Sequence, residues 1–253
     1  MLGKPEPVIV QVEINSENDK AQALAERLSL PLIEASSPWL ANSIRLRYQD
    51  AVLYALSVDP AGAEMAVKAD FQQVLSTRRR QQAQGELLIK AVQGRQRQPL
   101  FILDATAGMA ADSMVMAAMG HQVLALEQSS VVYEVVQDGL QRAAHAGISL
   151  LPDLHQAEAV AWLTINAEQM FDVIYLDPMF AESSKRALPR KNMQLLRRLT
   201  EAQTGSETLL SLAKTRARLR VVVKRPLKGG SLAGSPDYSI KGQRIRFDIY
   251  QSN

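Results

Sequence analysis

The segment Phe101-Ile102-Leu103-Asp104-Ala105-Thr106-Ala107-Gly108-Met109-Ala110-Ala111-Asp112 decides the fold of this chain. A short apolar run ends in an acid, a turn of small residues follows, and a helical pattern then begins. In open α/β sheets, ligands bind at the carboxyl ends of the strands, and small residues let a ligand approach the backbone closely. The segment therefore predicts a strand, a ligand-binding turn and a helix, in that order.

The same alternation of apolar runs and helical patterns continues along the chain. Continuous apolar runs separated by helices are typical of a parallel sheet that is covered on both faces. The predicted strands span residues 100–104, 122–127, 148–152, 171–177 and 219–224. Two further runs, 238–240 and 245–250, flank Lys241-Gly242-Gln243 and predict an antiparallel pair. The pattern indicates an α/β fold built on a seven-stranded Rossmann-like sheet.

The first 73 residues have a different pattern and predict a small N-terminal α/β subdomain. A β-rich stretch at 7–12 precedes a helix through 21–28, which Asn15 or Ser16 could cap. Three strand-like runs follow at 43–48, 51–57 and 64–71. A helical pattern over 78–92 then begins the larger domain. We expect residues 1–73 to form the subdomain and residues 74–253 to form the main domain.

Composition excludes several kinds of site. The chain has 253 residues, 47% of them hydrophobic, and no cysteine, which excludes disulfides and thiolate chemistry. Its three histidines show no metal-ligand spacing, so we expect no metal. No apolar run approaches the roughly 20 residues that span a bilayer, and the N-terminus lacks a signal-peptide core. These features predict a cytoplasmic protein without a membrane partner.

The turn after the first strand of the main domain has one glycine, where a dinucleotide-binding loop normally has three. Ala105 and Gly108 keep this turn narrow, and the amides at the following helix N-terminus can meet the carboxylate of an amino-acid ligand. Asp104 could accept a hydrogen bond from the ammonium group of that ligand. The alternative is a tight turn in which Asp104 is only a structural cap.

Two further acids follow the next two predicted strands. Glu127 ends the second strand about 20 residues beyond the first turn, a position that accepts ribose hydroxyls. Glu158 follows the third strand and could meet an adenine amino group. A single acid at a strand end is commonly just solvated, and Trp162 is expected to be a core residue rather than a stacking partner.

Asp177-Pro178-Met179-Phe180 follows the fourth strand, and of all the segments in the chain it most strongly indicates a chemical function. The lone pair of an aromatic amine is delocalised into its ring, so the amine is a poor nucleophile. The Asp177 carboxylate and the Pro178 carbonyl could accept both amine hydrogens, and proline fixes the backbone that holds that carbonyl. Phe180 could stack on the base, which contributes about 1–3 kcal/mol. The alternative is an Asp-Pro turn with a core phenylalanine.

Basic residues are concentrated after this turn. The chain has a net charge of +3, and residues 183–228 are rich in Lys and Arg, with Glu201 and Glu207 as their acids. Such an asymmetry favours a polyanionic partner, although a solvated face gives the same pattern. The candidates for contacts with RNA phosphates are Arg78, Arg79, Lys185, Arg186, Arg190, Lys191, Lys224 and Arg225.

Four motifs occur in an order that closely resembles the RsmJ family of bacterial ribosomal RNA small-subunit methyltransferases. They are Asp104-Ala105-Thr106-Ala107-Gly108, Tyr175-Leu176-Asp177-Pro178-Met179-Phe180, Val221-Val222-Val223-Lys224-Arg225-Pro226 and Arg246-Phe247-Asp248-Ile249-Tyr250. The resemblance spans roughly residues 68–250. It implies a class I methyltransferase fold, S-adenosylmethionine as cofactor and methylation of guanine 1516 in 16S rRNA at N2, with free rRNA or the 30S subunit as partner.

The resemblance also carries cofactor contacts and departures from the family pattern. The family usually has Gly-Arg-Asp where this chain has Ala110-Ala111-Asp112, Arg where it has Gln128, and Ser-Ser where it has Ala157-Glu158. The implied cofactor residues are Asp104, Ala105, Gly108, Ala111, Asp112, Glu127, Gln128, Ala157, Glu158 and Asp177.

The main hypothesis is therefore an enzyme that methylates guanine N2 in small-subunit rRNA, with Asp177, Pro178 and Phe180 as catalytic residues. One alternative is a non-catalytic RNA-binding assembly factor on the same fold, which the altered turn at Met109-Ala110-Ala111 motivates. Another is a methyltransferase for DNA adenine or protein glutamine, since both use related acid-Pro-Pro-aromatic turns. The sequence does not indicate an oligomeric state.

Overall fold

The structure, a computed structural model, describes residues 9–14, 17–40, 42–59, 62–75, 83–178, 195, 199 and 205–252, with only the backbone for 83–85. These residues form two β-sheets, one of five strands and one of seven. The five-stranded sheet comes first in the chain. The seven-stranded sheet follows, and Asp104, Glu127 and Asp177 lie at or directly after the ends of its strands.

The strands of the smaller sheet are β1 (Ile9–Ile14), β2 (Leu32–Glu34), β3 (Ser43–Gln49), β4 (Val52–Val58) and β5 (Glu64–Val67). The strands of the larger sheet are β6 (Phe101–Asp104), β7 (Gln122–Glu127), β8 (Asp153–Gln156), β9 (Phe171–Leu176), β10 (Ala217–Pro226), β11 (Tyr238–Lys241) and β12 (Ile245–Gln251). The helices are α1 (Asn18–Leu28), α2 (Phe71–Leu75), α3 (Ala83–Gln93), α4 (Ala111–Ala118), α5 (Ser130–His145), α6 (Ala159–Ile165) and α7 (Ser206–Arg216).

The larger sheet has the order β11-β12-β10-β9-β6-β7-β8. The strands from β10 to β8 are parallel, while β12 runs antiparallel to both β10 and β11. Val221, Val222 and Val223 in β10 are fully buried because helices cover both faces of the sheet. The predicted parallel sheet with an antiparallel C-terminal pair is confirmed.

The third strand of the main domain lies further along the chain than predicted. The apolar run predicts a strand at 148–152, but β8 runs from Asp153 to Gln156. Ile148 and Leu151 instead pack on the core at the end of α5, where the Ile148 amide donates to the Ala143 carbonyl. As an edge strand, β8 buries only Leu154, so it lacks the apolar run that identifies the central strands.

The N-terminal sheet has the order β2-β1-β3-β4-β5, with β1 parallel to its two neighbours and the other pairs antiparallel. The short exposed strand β2 was not predicted. The predicted strand 64–71 was too long, because Asp70 begins helix α2: its carboxylate accepts from the Gln73 amide at 3.1 Å. Helix α3 is described from Ala83 onward, and the predicted start at 78 lies outside the described residues, as do the predicted caps Asn15 and Ser16.

The two sheets pack together through helix α5. A β-carbon added at Gly139 would lie 2.5 Å from the Ala69 Cβ, so glycine permits the close approach. The Asp138 carboxylate accepts from the Leu53 amide at 3.2 Å, and Arg142 donates to the Ala69 carbonyl at 2.6 Å. One apolar cluster contains residues from both sheets, Leu46 and Leu53 from the smaller sheet and Ala125 and Leu154 from the larger one. The N-terminal sheet thus shares its core with the main domain.

Candidate functional site

The strand order brings the predicted site residues to one edge of the larger sheet. Strands β10, β9, β6 and β7 are neighbours and parallel, so their carboxyl ends lie side by side. These ends carry Lys224, Asp177, Asp104 and Glu127. Four side chains that are far apart in the sequence therefore line the edge where ligands of open α/β sheets bind.

Asp104 is buried beneath the turn that follows β6. Its carboxylate accepts hydrogen bonds from the Ser113 hydroxyl at 2.5 Å and from the Thr106 amide at 3.1 Å, and the residue is only 1% exposed. Burial raises the pKa of this carboxyl to about 7, although both hydrogen bonds oppose that shift. Asp104 therefore fixes the turn to the first residues of α4. Neither Ser113 nor Thr106 was singled out by the sequence analysis.

Glu127 holds the same turn from the next strand. Its carboxylate accepts from the Gly108 amide at 2.9 Å and from the Ser129 amide at 2.7 Å. Burial raises the pKa of Glu127, and these amides oppose the shift. The turn is also tied to the sheet, because the Ala105 amide donates to the Tyr175 carbonyl and the Ala107 amide to the Leu126 carbonyl.

The backbone of the turn has two residues with positive φ. Gly108 has a φ of +52°, and an added β-carbon would meet no atom within 4 Å. Ala110 also has a φ of 52°, directly before α4 begins at Ala111. A left-handed alanine costs roughly 1–2 kcal/mol relative to glycine. Position 110, where the resembled family usually has glycine, thus adopts a conformation that favours glycine. This chain has a completely buried alanine there.

Asp112, Asp177 and Lys224 form one connected network. The Lys224 ammonium lies 2.7 Å from Asp112 Oδ2 and 2.9 Å from Asp177 Oδ2. The Tyr175 hydroxyl donates to the same Asp112 oxygen at 2.7 Å. Burial acts to lower the pKa of Lys224, but Asp112 and Asp177 outweigh it and raise that pKa, so the ammonium stays charged. Lys224 therefore joins a predicted cofactor residue to a predicted catalytic residue.

Asp177 has a half-exposed side chain on a fixed backbone. Its amide donates to the Thr106 hydroxyl at 2.6 Å, which ties the end of β9 to the turn after β6. Although the side chain is 40% exposed, partial burial raises the pKa of the Asp177 carboxyl; Lys224 opposes this shift and the nearby Asp112 adds to it. Pro178 follows and is buried, whereas Met179 and Phe180 lie outside the described residues. The Asp177 carboxylate and the turn containing Gly108 thus lie at the same edge of the larger sheet.

The third strand brings Ala157 and Glu158 to the end of this edge. The Ala157 amide donates to the Glu127 carbonyl at 3.0 Å, next to the half-buried Gln128. The Glu158 carboxylate caps α6, accepting from the Val160 and Ala161 amides at 3.0 and 2.8 Å. Glu158 is exposed, so a contact with an adenine would come in addition to this cap.

The basic residues predicted to contact RNA have different surroundings. Lys224 is paired with two carboxylates rather than presented to solvent, and Arg225 is 8% exposed and donates to the Gly230 carbonyl at 2.8 Å. Both side chains therefore have intramolecular partners in place of the phosphates that the sequence analysis expected. Six other candidates lie outside the described residues: Arg78, Arg79, Lys185, Arg186, Arg190 and Lys191.

The described ranges contain no group of three or more His, Asp or Glu side chains that could hold a metal ion. None of the helices seen in these ranges combines the length and the hydropathy that a bilayer crossing requires.

Comparisons with known proteins agree with this geometry. A family model described as "Putative SAM-dependent methyltransferase" matches residues 24–252. The ribosomal RNA small subunit methyltransferase J of Nitrosococcus oceani is 40% identical, covering 91% of this chain and 92% of that protein. The protein of the same name from Marinobacter nauticus is 34% identical, covering 93% and 88%. Among solved structures, a SAM-dependent methyltransferase from Neisseria gonorrhoeae is similar with a TM-score of 0.71 and 28% identity, covering 96% of this chain and 95% of that one.

Proposed function

The chain belongs to the family of SAM-dependent methyltransferases that includes the proteins named ribosomal RNA small subunit methyltransferase J, and from this premise we propose that it methylates the exocyclic N2 of a guanine in 16S rRNA. The family resemblance of its motifs singles out guanine 1516. The observation that carries the proposal is the position of Asp177, whose carboxylate lies on the same sheet edge as the turn containing Gly108.

The residues at this edge fit S-adenosylmethionine. The open space beside Gly108 leaves room for a ligand to approach the backbone, and the α4 N-terminus offers amides to a carboxylate. The Asp112 and Asp177 carboxylates lie at this edge, and negative charge there favours a cofactor that carries an ammonium and a sulfonium. We propose these cofactor contacts: Asp104, Ala105, Gly108, Ala111, Asp112, Glu127, Gln128, Ala157, Glu158 and Asp177.

Asp177 and Pro178 would orient the amine. S-adenosylmethionine supplies an electrophilic methyl group on its sulfonium. The Asp177 carboxylate and the Pro178 carbonyl would accept hydrogen bonds from the two N–H groups and favour a pyramidal nitrogen, so that the lone pair is localised on the nitrogen and can point at the methyl group. Phe180 stacks on the base, which must be unstacked from its helix to enter the site. The carboxylate of Asp177 also stands ready to take the proton that the nitrogen loses. The contribution of the protein is thus mainly orientation and the exclusion of water.

The substrate and the setting of the reaction follow from this proposal. The partner is 16S rRNA, free or in the 30S subunit, and the basic residues Arg78, Arg79, Lys185, Arg186, Arg190 and Lys191 are the candidates for phosphate contacts. Because the substrate is ribosomal, we place the enzyme in the cytoplasm. We further propose residues 1–73 as an N-terminal subdomain and residues 74–253 as the methyltransferase domain, with the shared apolar cluster holding them together.

The decisive experiment uses purified protein, 30S subunits lacking the modification and labelled S-adenosylmethionine, followed by mapping of the modified base. We expect N2-methylguanosine at one position of 16S rRNA. Asp177→Asn should lower kcat by about 100-fold or more, in the range typical of an oriented acid or base. Asp172→Asn, at the opposite end of the same strand, is the matched control and should retain activity.

The alternatives predict different results in the same experiment. A non-catalytic assembly factor would show no binding of S-adenosylmethionine in a calorimetric titration and no label transfer. A methyltransferase for DNA adenine or protein glutamine would label those substrates instead of the 30S subunit. Unchanged kcat in Asp177→Asn would contradict the role proposed for the Asp177 carboxylate.

A further inference from the structure

Lys224 connects three elements that carry separate parts of the proposed reaction. Its ammonium lies 2.7 Å from Asp112 on α4 and 2.9 Å from Asp177 at the end of β9. Lys224 itself ends the buried valine run of β10 and has a side chain that is 25% exposed. The ammonium is thus shared by a residue proposed to contact the cofactor and a residue proposed to orient the base.

The backbone dictates this arrangement. Val223 is paired with Leu176 in the parallel ladder of β10 and β9, so the next residues, Lys224 and Asp177, lie side by side. Tyr175 and Asp177 are two residues apart on one strand and therefore point to the same face. From that face, the Tyr175 hydroxyl reaches the Asp112 oxygen that also accepts from Lys224. The register of two strands and one helix thus fixes the three charged groups.

Within the described part of the chain, Lys224 offsets the negative charge of the carboxylates around Asp177. Asp112 faces Asp177 from α4 and Asp104 from β6, while Lys224 and Arg225 face it from β10 and Tyr175 shares its strand. Lys224 donates directly to the Asp177 carboxylate at 2.9 Å, and the Arg225 guanidinium donates to the Gly230 carbonyl at 2.8 Å. Removing the ammonium would leave two carboxylates sharing one partly buried region, a situation that favours the protonated acid.

We propose that Lys224 is a positioning residue, which holds the carboxylates of Asp112 and Asp177 in one arrangement so that the cofactor side and the base side of the site form together. This role rests on the proposed function and deepens it. A protonated Asp177 offers a hydrogen where the amine needs an acceptor, so the acceptor role depends on the ammonium. Because Lys224 touches neither the base nor the methyl group in this scheme, it acts through Asp177.

The test follows the titration of Asp177 directly and needs no RNA. The 13C resonance of the Asp177 carboxyl, assigned by its loss in Asp177→Asn, is followed against pH in the full chain. Lys224→Met should raise the pKa of Asp177 by about one unit or more, the usual effect of losing an adjacent opposite charge. Lys224→Arg should keep it near the wild-type value, and Asp112→Asn should lower it by removing a like charge. Lys241→Met, an exposed lysine of β11, is the matched control and should leave the titration unchanged.

Activity on 30S subunits gives a second measurement. In Lys224→Met, kcat at pH 7 should fall at least tenfold and recover as the pH rises, while Lys224→Arg should restore most of it. A purely structural role would lower the rate equally at every pH.

An unmoved Asp177 titration in both Lys224→Met and Asp112→Asn would overturn the proposal, as would a loss of rate that no pH restores. If the wild-type protein does not methylate 30S subunits, the proposed function fails, yet the titration still decides whether Lys224 controls Asp177. Should Lys224→Met not fold, Asp112→Asn and Lys224→Arg decide it.

Discussion

The Glu127 carboxylate accepts a hydrogen bond from the Gly108 amide at 2.9 Å, so the acid that ends β7 holds the turn that follows β6. The contact joins two neighbouring parallel strands at their carboxyl ends. It fixes the position of a glycine whose missing side chain leaves open space on the ligand side of the turn. The shape of this turn therefore depends on both Glu127 and Gly108. Substituting Gly108 tests whether a ligand occupies the space beside it.

Gly108→Ala should weaken the binding of S-adenosylmethionine more than it weakens the fold. Alanine at a φ of +52° costs roughly 1–2 kcal/mol, and its methyl group meets no atom of the described residues within 4 Å. That methyl would instead enter the space proposed for the cofactor, so we expect an affinity loss of tenfold or more by calorimetry. Gly120→Ala is the control, since it has positive φ and open space at the opposite end of the sheet. Equal affinity in the two variants would argue against a cofactor beside Gly108.

Asp104→Asn should change how the stability of the ligand-free protein depends on pH. Burial raises the pKa of Asp104 in the folded state to about 7, from 3.8. A raised pKa means that the contribution of Asp104 is fully present below pH 3.8 and is lost as the pH rises through about 7. Asparagine cannot ionise and keeps an acceptor for the Thr106 amide. At pH 8 the variant should therefore be more stable by a few kcal/mol, on the order set by such a shift.

Urea unfolding at several pH values measures this difference. Asp153→Asn is a suitable control, because that carboxyl is 75% exposed on the edge strand β8 and its loss should change little across the same range. A gap between Asp104→Asn and wild type that stays constant from pH 4 to pH 8 would contradict the assignment of a neutral buried acid at position 104.

Gly139→Ala should destabilise both sheets together. The added β-carbon would lie 2.5 Å from the Ala69 Cβ and 3.1 Å from the Ala69 carbonyl oxygen, so α5 must move away from the N-terminal sheet. Overpacking of this kind costs typically about 1–3 kcal/mol. Gly230→Ala, which meets no atom within 4 Å and has no positive φ, is the control. Thermal unfolding should show one transition at a lower Tm for Gly139→Ala, and loss of the N-terminal sheet alone would contradict the shared core.

The sequence was sufficient for the central strands and for the residues at their ends. Long apolar runs identify buried parallel strands, and the residue after each run must lie at the ligand edge, which is why Asp104, Glu127 and Asp177 could be named. The position of the edge strand β8 was predicted wrongly, because an edge strand that buries one residue has no long apolar run. Residues at strand ends are thus predictable where the strand is buried on both faces.

The side-chain network of the site could not be read from the sequence. Lys224 was expected to contact RNA, because a lysine in a basic stretch gives no sign of two carboxylate partners on other elements. Those partners depend on the pairing of β10 with β9 and on the position of α4 above them. Tyr175 did carry a signal, since a polar residue two positions before Asp177 in an apolar strand lies on the same face. Its burial at 1% exposure and its bond to Asp112 explain why a tyrosine stands there.

The basic residues after Asp177 can be distinguished from general basic charge by the salt dependence of RNA binding. Changing Lys185 and Arg186 together to Gln should weaken binding of 16S rRNA fragments and reduce the slope of log affinity against log salt, because each lost phosphate contact releases about 0.7 fewer counterions for single-stranded RNA. The matched control changes Arg95 and Arg97 to Gln. These two exposed residues precede β6 and lie at the amino end of the sheet, opposite Asp177. Filter binding at several salt concentrations should show a reduced slope for the first pair and a wild-type slope for the second. Equal slopes in both pairs would mean that the overall charge, rather than the segment after Asp177, holds the RNA.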